Sequence, residues 1–415
     1  MLLVALHVRA YPMLSPIDEL QHVDYTLKAA EFDIPRINEL VGSDAMSEAA
    51  CRSIDAEGYI GPICGLEEYD PADFPENGVN TAASQYPPYY VATGLVSRAV
   101  VAIGVVGSEV TAARMLGALW SGAAWSVMWY VMGLLRIPRL HRSIAVTLLM
   151  VTPLTLFHSA TVNADTILML TGALAVLATL KYESRRLHPA LLLATYVALF
   201  IVEATNILTI AACAGYLAMR TTVRPGAPPI RRALPLLVFP LLLTLRLAVG
   251  RQLLRFIFPA VPKSASPTAA VDNASDGLDG EFIAAQLDAN FLPITKAYLP
   301  PFLRTQYAFS FIQLTNWLLI GLMFVAAIET VRQRRAAWLA RIGIVTLLLS
   351  GPFYTFSFAF FSDSDFPAPG RFALPMIVFI VVTAASAMRT RVAVGAAGTV
   401  AATSAGYTLF LLLSA

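Results

Sequence analysis

Apolar residues run through this chain in long blocks separated by short polar loops. The blocks lie at roughly 108–135, 143–160, 165–181, 189–204, 206–219, 233–256, 306–328, 342–361, 371–388 and 392–414. Several approach the ~20 residues that a helix needs to cross about 30 Å of hydrocarbon. None shows the two-residue alternation of a membrane β-strand, so a β-barrel is excluded. One further apolar block, 86–106, opens with Pro87 and Pro88 and holds Arg98 midway. It ends almost against the next block, which leaves little room for a loop between two spans. It therefore reads as a helix lying along the interface, with a crossing helix as the alternative. Residues 1–14 are apolar but too short to span, and carry His7 and Arg9. They lack the basic start and small-residue cleavage site of a signal peptide, and read as a truncated first membrane helix.

Composition agrees with the pattern. Of 415 residues, 57% are hydrophobic and 13% charged, and the mean hydropathy is +0.66. A soluble chain of this length needs about a quarter of its residues charged to cover its surfaces. A soluble enzyme, a disordered chain and a nucleic-acid-binding protein are excluded. The expected fold class is an all-α polytopic membrane protein of about eleven transmembrane helices.

The few charges set a topology. Arg136, Arg139 and Arg142 follow the first block, Lys181, Arg185 and Arg186 the third, and Arg220, Arg224, Arg231 and Arg232 the fifth. Arg332, Arg334, Arg335 and Arg341 follow the seventh, and Arg389 and Arg391 the ninth. Basic residues are retained on the cytoplasmic side, so these alternate loops are inside. The opposite loops, near 161–165, 204–206, 257–305 and 361–370, are then outside. Acidic residues have the reverse bias, with 16 of the 27 between Asp18 and Glu109. The expected organisation is the helix stub 1–14, a first extracytoplasmic loop 15–107 carrying interfacial helices, membrane helices over 108–256, an outer loop 257–305 and membrane helices over 306–415. Cys51 and Cys64 fall in the first loop, where an exported pair points to a disulfide; two unrelated thiols are the alternative.

Ionisable groups at membrane depth are costly and mark function. On the outer side these are Asp18, Glu19 and His22 in SPIDELQH, Asp165 in TVNADTI, Glu203, Arg246, Arg251, Arg255, Asp363, Asp365 and Arg371. Each also has a plain structural reading. Asp18, Glu19 and Asp165 sit where helix caps are favourable, Arg246 where it can snorkel, and Arg371 where a headgroup contact is ordinary. The histidines have no metal-ligand spacing, and no HExxH, CxxC, Walker loop, GxGxxG or GxSxG occurs. Asn273-Ala-Ser is a formal but weak glycosylation sequon.

The motifs, taken in order, resemble the GT-C superfamily of polytopic glycosyltransferases. Pro16-Ile17-Asp18-Glu19 with His22 resembles the P-D-E-x-x-H that opens the first outer loop of such enzymes. Gln85-Tyr86-Pro87-Pro88-Tyr89-Tyr90 resembles the H/K-P-P-L-Y-Y that closes it, with Gln85 replacing the usual basic residue. Ala113 to Leu119 resembles A-R-L-x-S-A-L, and Pro153 to Asp165 resembles the second outer loop. Gly370-Arg371-Phe372-Ala373-Leu374-Pro375 resembles the G-R-Y-x-L-P of an uncharacterised bacterial branch. The resemblance implies an inverting transferase at the plasma membrane, with its active site on the extracytoplasmic side. It implies a polyprenyl-phosphate sugar donor and a cell-envelope glycan or glycolipid acceptor. Asp18 takes the place of the catalytic base, with Glu19 beside it, Asp165 that of the second acid, and Arg371 that of a phosphate-binding residue. His22, Gln85 and Tyr89 are expected to contact substrate, and Arg251 and Arg255 are weaker phosphate candidates added from their position. No cofactor is required; converging carboxylates leave room for a divalent cation, which no spacing demands. The competing readings are a lipid-linked sugar flippase or transporter, an O-antigen-type ligase or polymerase, and an inactive scaffold subunit.

Overall fold

A computed structural model describes residues 2–222, 306–329, 334–361 and 370–415. The described residues are mostly helical, and the only β-type pairings among them are two isolated bridges, Leu14 with Ile54 and Leu40 with Val79. Fourteen α-helices are described. α1 (Leu2–Ala10), α2 (Glu19–Ala29), α3 (Ser43–Arg52) and α4 (Pro88–Ala102) precede the apolar blocks. α5 (Glu109–Leu134), α6 (Arg139–Met150), α7 (Pro153–Ala160), α8 (Asp165–Glu183), α9 (Pro189–Val202) and α10 (Ile207–Thr222) follow. α11 (Gln306–Ile328), α12 (Arg334–Phe361), α13 (Ile377–Ala387) and α14 (Arg391–Ser414) complete them.

The breaks between these helices follow from local chemistry. The block at 143–160 divides into α6 and α7, which are bent by 66°. Pro153 disfavours helical backbone in the residue before it, and Thr152 is extended at φ −69°, ψ 138°. The Thr152 hydroxyl then accepts from the Thr155 amide, which caps α7. The block at 371–388 likewise begins with a 3₁₀ segment, Gly370–Met376, before α13.

Three described helical stretches are long and apolar enough to cross a membrane by length and composition: Asp165–Glu183, Arg335–Tyr354 and Arg391–Ser414. Counting the bent α6–α7 pair as one span makes four. α5 has the length, at 26 residues, but three tryptophans, two serines and three glycines dilute its apolarity.

The bundle is built around α8 and α13. Every residue of α13 is buried, and α8 is buried on most of its surface. Helices apolar on all sides belong in the centre of a bundle. α8 packs on α5, α9, α10 and the 3₁₀ segment, and α13 packs on α11, α12 and α6. Gly172 of α8 lies directly against the backbone of Pro375, and a Cβ there would collide with the Pro375 carbonyl. The missing side chain thus lets the segment that carries Arg371 seat against the N-terminal half of α8.

The acidic region folds as a cap on one end of this bundle. Leu14, Leu20, Val23, Val41, Ala45, Met46, Ile54 and Phe74 form a small core that closes on Val110 and Ala113 of α5 and on Val162. Inside the cap the buried Asp24 carboxylate accepts from the Gly42 amide at 2.7 Å and Asn80 at 2.6 Å, and pairs with Lys28 at 3.0 Å. Cys51 and Cys64 are bonded, with Cα atoms 4.5 Å apart, and tie the end of α3 to the loop beyond it. α4 leans on α2 and α5, with Gly94 tight against the Thr26 carbonyl of α2.

Candidate functional site

The site lies where the cap meets the N-terminal end of α8 and the start of the 3₁₀ segment. Asp18 ends the linker from α1 and holds the N-cap position of α2 with left-handed backbone, φ 55° and ψ 13°. Asp is among the few non-glycine residues that enter this region, at a cost of about 1–3 kcal/mol. Its side chain makes no capping bond. It turns to Arg371, whose Nη2 donates to Asp18 Oδ2 at 2.7 Å. The helix-cap reading of Asp18 is therefore not what its side chain does. Asp165 opens α8, and its Oδ2 lies 3.2 Å from Arg371 Nε. One guanidinium thus bridges two carboxylates that come from segments far apart in sequence. His158, at the end of α7, places Nδ1 3.9 Å from the same Asp165 oxygen.

Glu19 has a different position. It is fully buried and paired with the equally buried Arg114 of α5. Arg114 Nε donates to Glu19 Oε1 at 2.8 Å and Nη2 to Oε2 at 2.7 Å. Oε1 also accepts from the Val162 amide at 2.8 Å, and Oε2 from the Ser15 amide at 2.7 Å. Arg114 spends its remaining donors on the carbonyls of Tyr11, Pro12 and Met13. Each carboxylate oxygen of Glu19 therefore holds two donors. The expectation that Glu19 is a catalytic group gives way to an anchoring geometry. It pins the linker that carries Asp18 to the loop that leads into Asp165.

His22 follows Asp18 by one helical turn on α2, and its amide donates to the Asp18 carbonyl at 3.1 Å. The ring is buried, and Nδ1 lies 2.7 Å from the Tyr90 hydroxyl. Burial pushes the imidazole pKa down to about 4, with Asp18 pulling it up and Arg371 pushing it down. His22 is therefore neutral at physiological pH. The Tyr90 hydroxyl donates to Gln85 Oε1 at 2.5 Å. Tyr25 stacks on Tyr90, with centroids 3.8 Å apart and planes 4° from parallel. Tyr89 is buried beside Asn163 and Thr166, where it braces the start of α8. Glu203, after α9, adds its charge to the surroundings of Tyr90.

The structure thus brings Asp18, Asp165, Arg371, His22 and Gln85 to one place, and sets Glu19 and Tyr89 behind it. Arg251, Arg255, Asp363 and Asp365 lie outside the described residues. The bonded Cys51 and Cys64 stand in the cap. Among the described residues, no group of three or more His, Cys, Asp or Glu side chains is placed to hold a metal ion.

Three participants lie inside motifs that the sequence reading singled out but were given no role by it. Arg114 lies at the mouth of an apolar block, and an isolated arginine there was the available signal. His158 comes within 3.9 Å of Asp165 across the turn between α7 and α8, and that spacing carries no signature. Tyr90 is one of two adjacent tyrosines, and only the fold decides which of them meets His22. Compared with known proteins, the chain matches no family model, no curated protein and no solved structure.

Proposed function

We propose that this protein is a GT-C-type inverting glycosyltransferase that moves a sugar from a polyprenyl phosphate to a cell-envelope glycan or glycolipid. The supporting observation is the bridge from Asp18 through Arg371 to Asp165, made from a cap loop, a turn and a helix start. In this reading Asp18 takes the proton of an acceptor hydroxyl as the oxygen attacks the anomeric carbon. The bond from that carbon to the phosphate oxygen breaks in the same displacement, which inverts the centre. The departing lipid phosphate carries the developed charge, and Arg371 is the donor that meets it. Asp165 holds Arg371 from the other side.

A lipid donor also suits the surroundings. An apolar crevice of about 360 Å³ runs between α10 and α12, with Leu208 and Phe353 among its lining residues. The neighbouring Tyr354 hydroxyl lies 3.4 Å from the carbonyl of Phe372, next to Arg371. Two carboxylates and one guanidinium carry a formal charge of −1, so a phosphate needs further positive charge. Arg251 and Arg255 are the candidates for that role, and a divalent cation is the other.

The direct test is transfer. Purified protein in vesicles is incubated with labelled polyprenyl-phosphate sugars and membrane glycan acceptors. Label moving to the acceptor supports the reading, and none from any donor tried opposes it. Arg371→Ala is expected to weaken donor binding by roughly 10- to 100-fold, the loss of a charged hydrogen bond. Acceptor binding should change little; equal losses for both would make Arg371 structural.

The proposed setting is the plasma membrane, with about eleven spans and the cap on the extracytoplasmic side. α4 fits an interfacial helix. Its Leu95 and Val96 are exposed, while Arg98 is tied to Glu31 and Glu109. Sidedness is testable at Asp73, which is exposed in the cap. The native cysteines give no background, since Cys51 and Cys64 are bonded and Cys213 is buried. Asp73→Cys in intact cells is expected to react with an impermeant thiol reagent. Labelling only after permeabilisation would reverse the topology.

A further inference from the structure

Histidine has two ring nitrogens, and the one that carries the proton decides whether each face of the ring donates or accepts. A neutral His22 has one N–H and one lone pair. The hydrogen-bonded row Gln85–Tyr90–His22 determines which is which. Tyr90 donates its hydroxyl proton to Gln85 Oε1. The Gln85 carbonyl oxygen, and not its NH₂ group, therefore faces the tyrosine. That oxygen accepts only, so the single Tyr90 proton is spent on it. At its other side the Tyr90 oxygen must accept, and the group 2.7 Å away is His22 Nδ1. Nδ1 then carries the proton, and Nε2 carries the lone pair.

The row is held from several sides. Tyr90 is fully buried and stacked on Tyr25 with planes 4° apart, and the His22 ring lies 11° from parallel with it, centroids 5.8 Å apart. The Tyr25 hydroxyl donates to the backbone carbonyl of Gln85 at 3.2 Å, which fixes the residue at the end of the row. The charges acting on His22 are Asp18 and Arg371, and it acts in turn on His158. Those acting on Tyr90 include Glu203 and Asp165.

We propose that Gln85 is a positioning residue: through Tyr90 it holds the proton of His22 on Nδ1 and makes Nε2 a hydrogen-bond acceptor beside Asp18 and Arg371. The functional half of this inference rests on the transferase reading, in which that acceptor receives a hydroxyl of the incoming sugar. It makes a demand of the substrate that Arg371 does not, namely a donor group where Arg371 requires an anion. The burial that keeps the ring neutral also keeps it from becoming a second cation.

The test is nitrogen NMR of the full chain in lipid nanodiscs, labelled at its five histidines. Protonated and unprotonated ring nitrogens resonate far apart, and His22 is assigned by its loss in His22→Asn. The wild type is expected to show a protonated Nδ1. Gln85→Glu keeps an acceptor and should keep that form. Gln85→Lys supplies a donor, turns the Tyr90 proton toward His22 and should move the histidine proton to Nε2. Gln85→Met removes the acceptor and should do the same, and it serves if the lysine variant does not fold. A wild-type ring protonated on Nε2, or one indifferent to Lys and Met, would overturn the proposal. In the transfer assay Gln85→Lys and Gln85→Met should each lose about tenfold more in kcat/KM than Gln85→Glu does, the effect of one mismatched buried hydrogen bond. Equal losses in Glu, Lys and Met variants would also overturn the positioning role. A wild type that transfers no sugar but shows the expected ring form would reject the transferase reading alone.

Discussion

Arg114→Ala is expected to unfold the cap, or to lower stability by about 3–5 kcal/mol, the usual result of leaving one buried charge without its partner. Glu19 would remain at zero exposure with only two backbone amides as donors. The carbonyls of Tyr11 and Met13 would lose their donor as well. Arg114→Lys should recover little, because a point charge cannot match the paired fork at 2.7 and 2.8 Å. Thermal melting of the detergent-solubilised protein reads the effect. A melting temperature within a degree or two of wild type would mean that the pin does not hold the cap. The double variant Glu19→Gln with Arg114→Met separates charge from packing: it should be milder than Arg114→Ala, since no unpaired charge stays buried.

Asp18→Asn is expected to lower transfer by about 10²- to 10⁴-fold, the contribution of a positioned general base. The amide is nearly the same size and still accepts from Arg371, but it takes no proton. Stability should change little. The Asp18 side chain is 39% exposed, and an ion pair open to water contributes about 1 kcal/mol or less. The two readouts therefore separate chemistry from folding. Full transfer by the Asn variant would end the assignment of Asp18 as base. Asp165→Asn is the informative companion. It leaves Asp18 intact, so it should weaken donor capture by loosening Arg371 more than it slows the chemical step.

How much of this was legible in the sequence depends on the range of the forces involved. Helices fixed by local chemistry were legible. The apolar blocks at 108–135 and 392–414 correspond closely to α5 and α14, because periodic burial and flanking polar residues act within one element. The division at Thr152 and Pro153 was also local, but the block was apolar on both sides of it and concealed the bend. The site was partly legible. Asp18, Asp165 and Arg371 stood out because charge is scarce and expensive in such a chain. The roles of adjacent residues were not. Asp18 and Glu19 differ by one position, and nothing in SPIDELQH says which faces the site and which is buried. That is decided by Arg114 and by the Val162 amide, which lie 95 and 143 residues away. Tyr89 and Tyr90 pose the same difficulty, resolved only by how α4 packs on α2.

The pin at Glu19 also has a bearing on the order in which the chain is assembled. During synthesis Glu19 emerges with only the Ser15 amide of its holding groups already made, and a carboxylate is costly to bury without further partners. Arg114 arrives with α5, and the Val162 amide only after the turn beyond α7 is made. Asp18 then waits for Arg371, 353 residues later. The linker between α1 and α2 must therefore stay in water while most of the bundle is being made. The cap locks when the loop before α8 comes out, and Asp18 meets Arg371 only when the segment leading into α13 is being made. A chain stopped between the loop before α8 and Arg371 would have a folded cap and no assembled site.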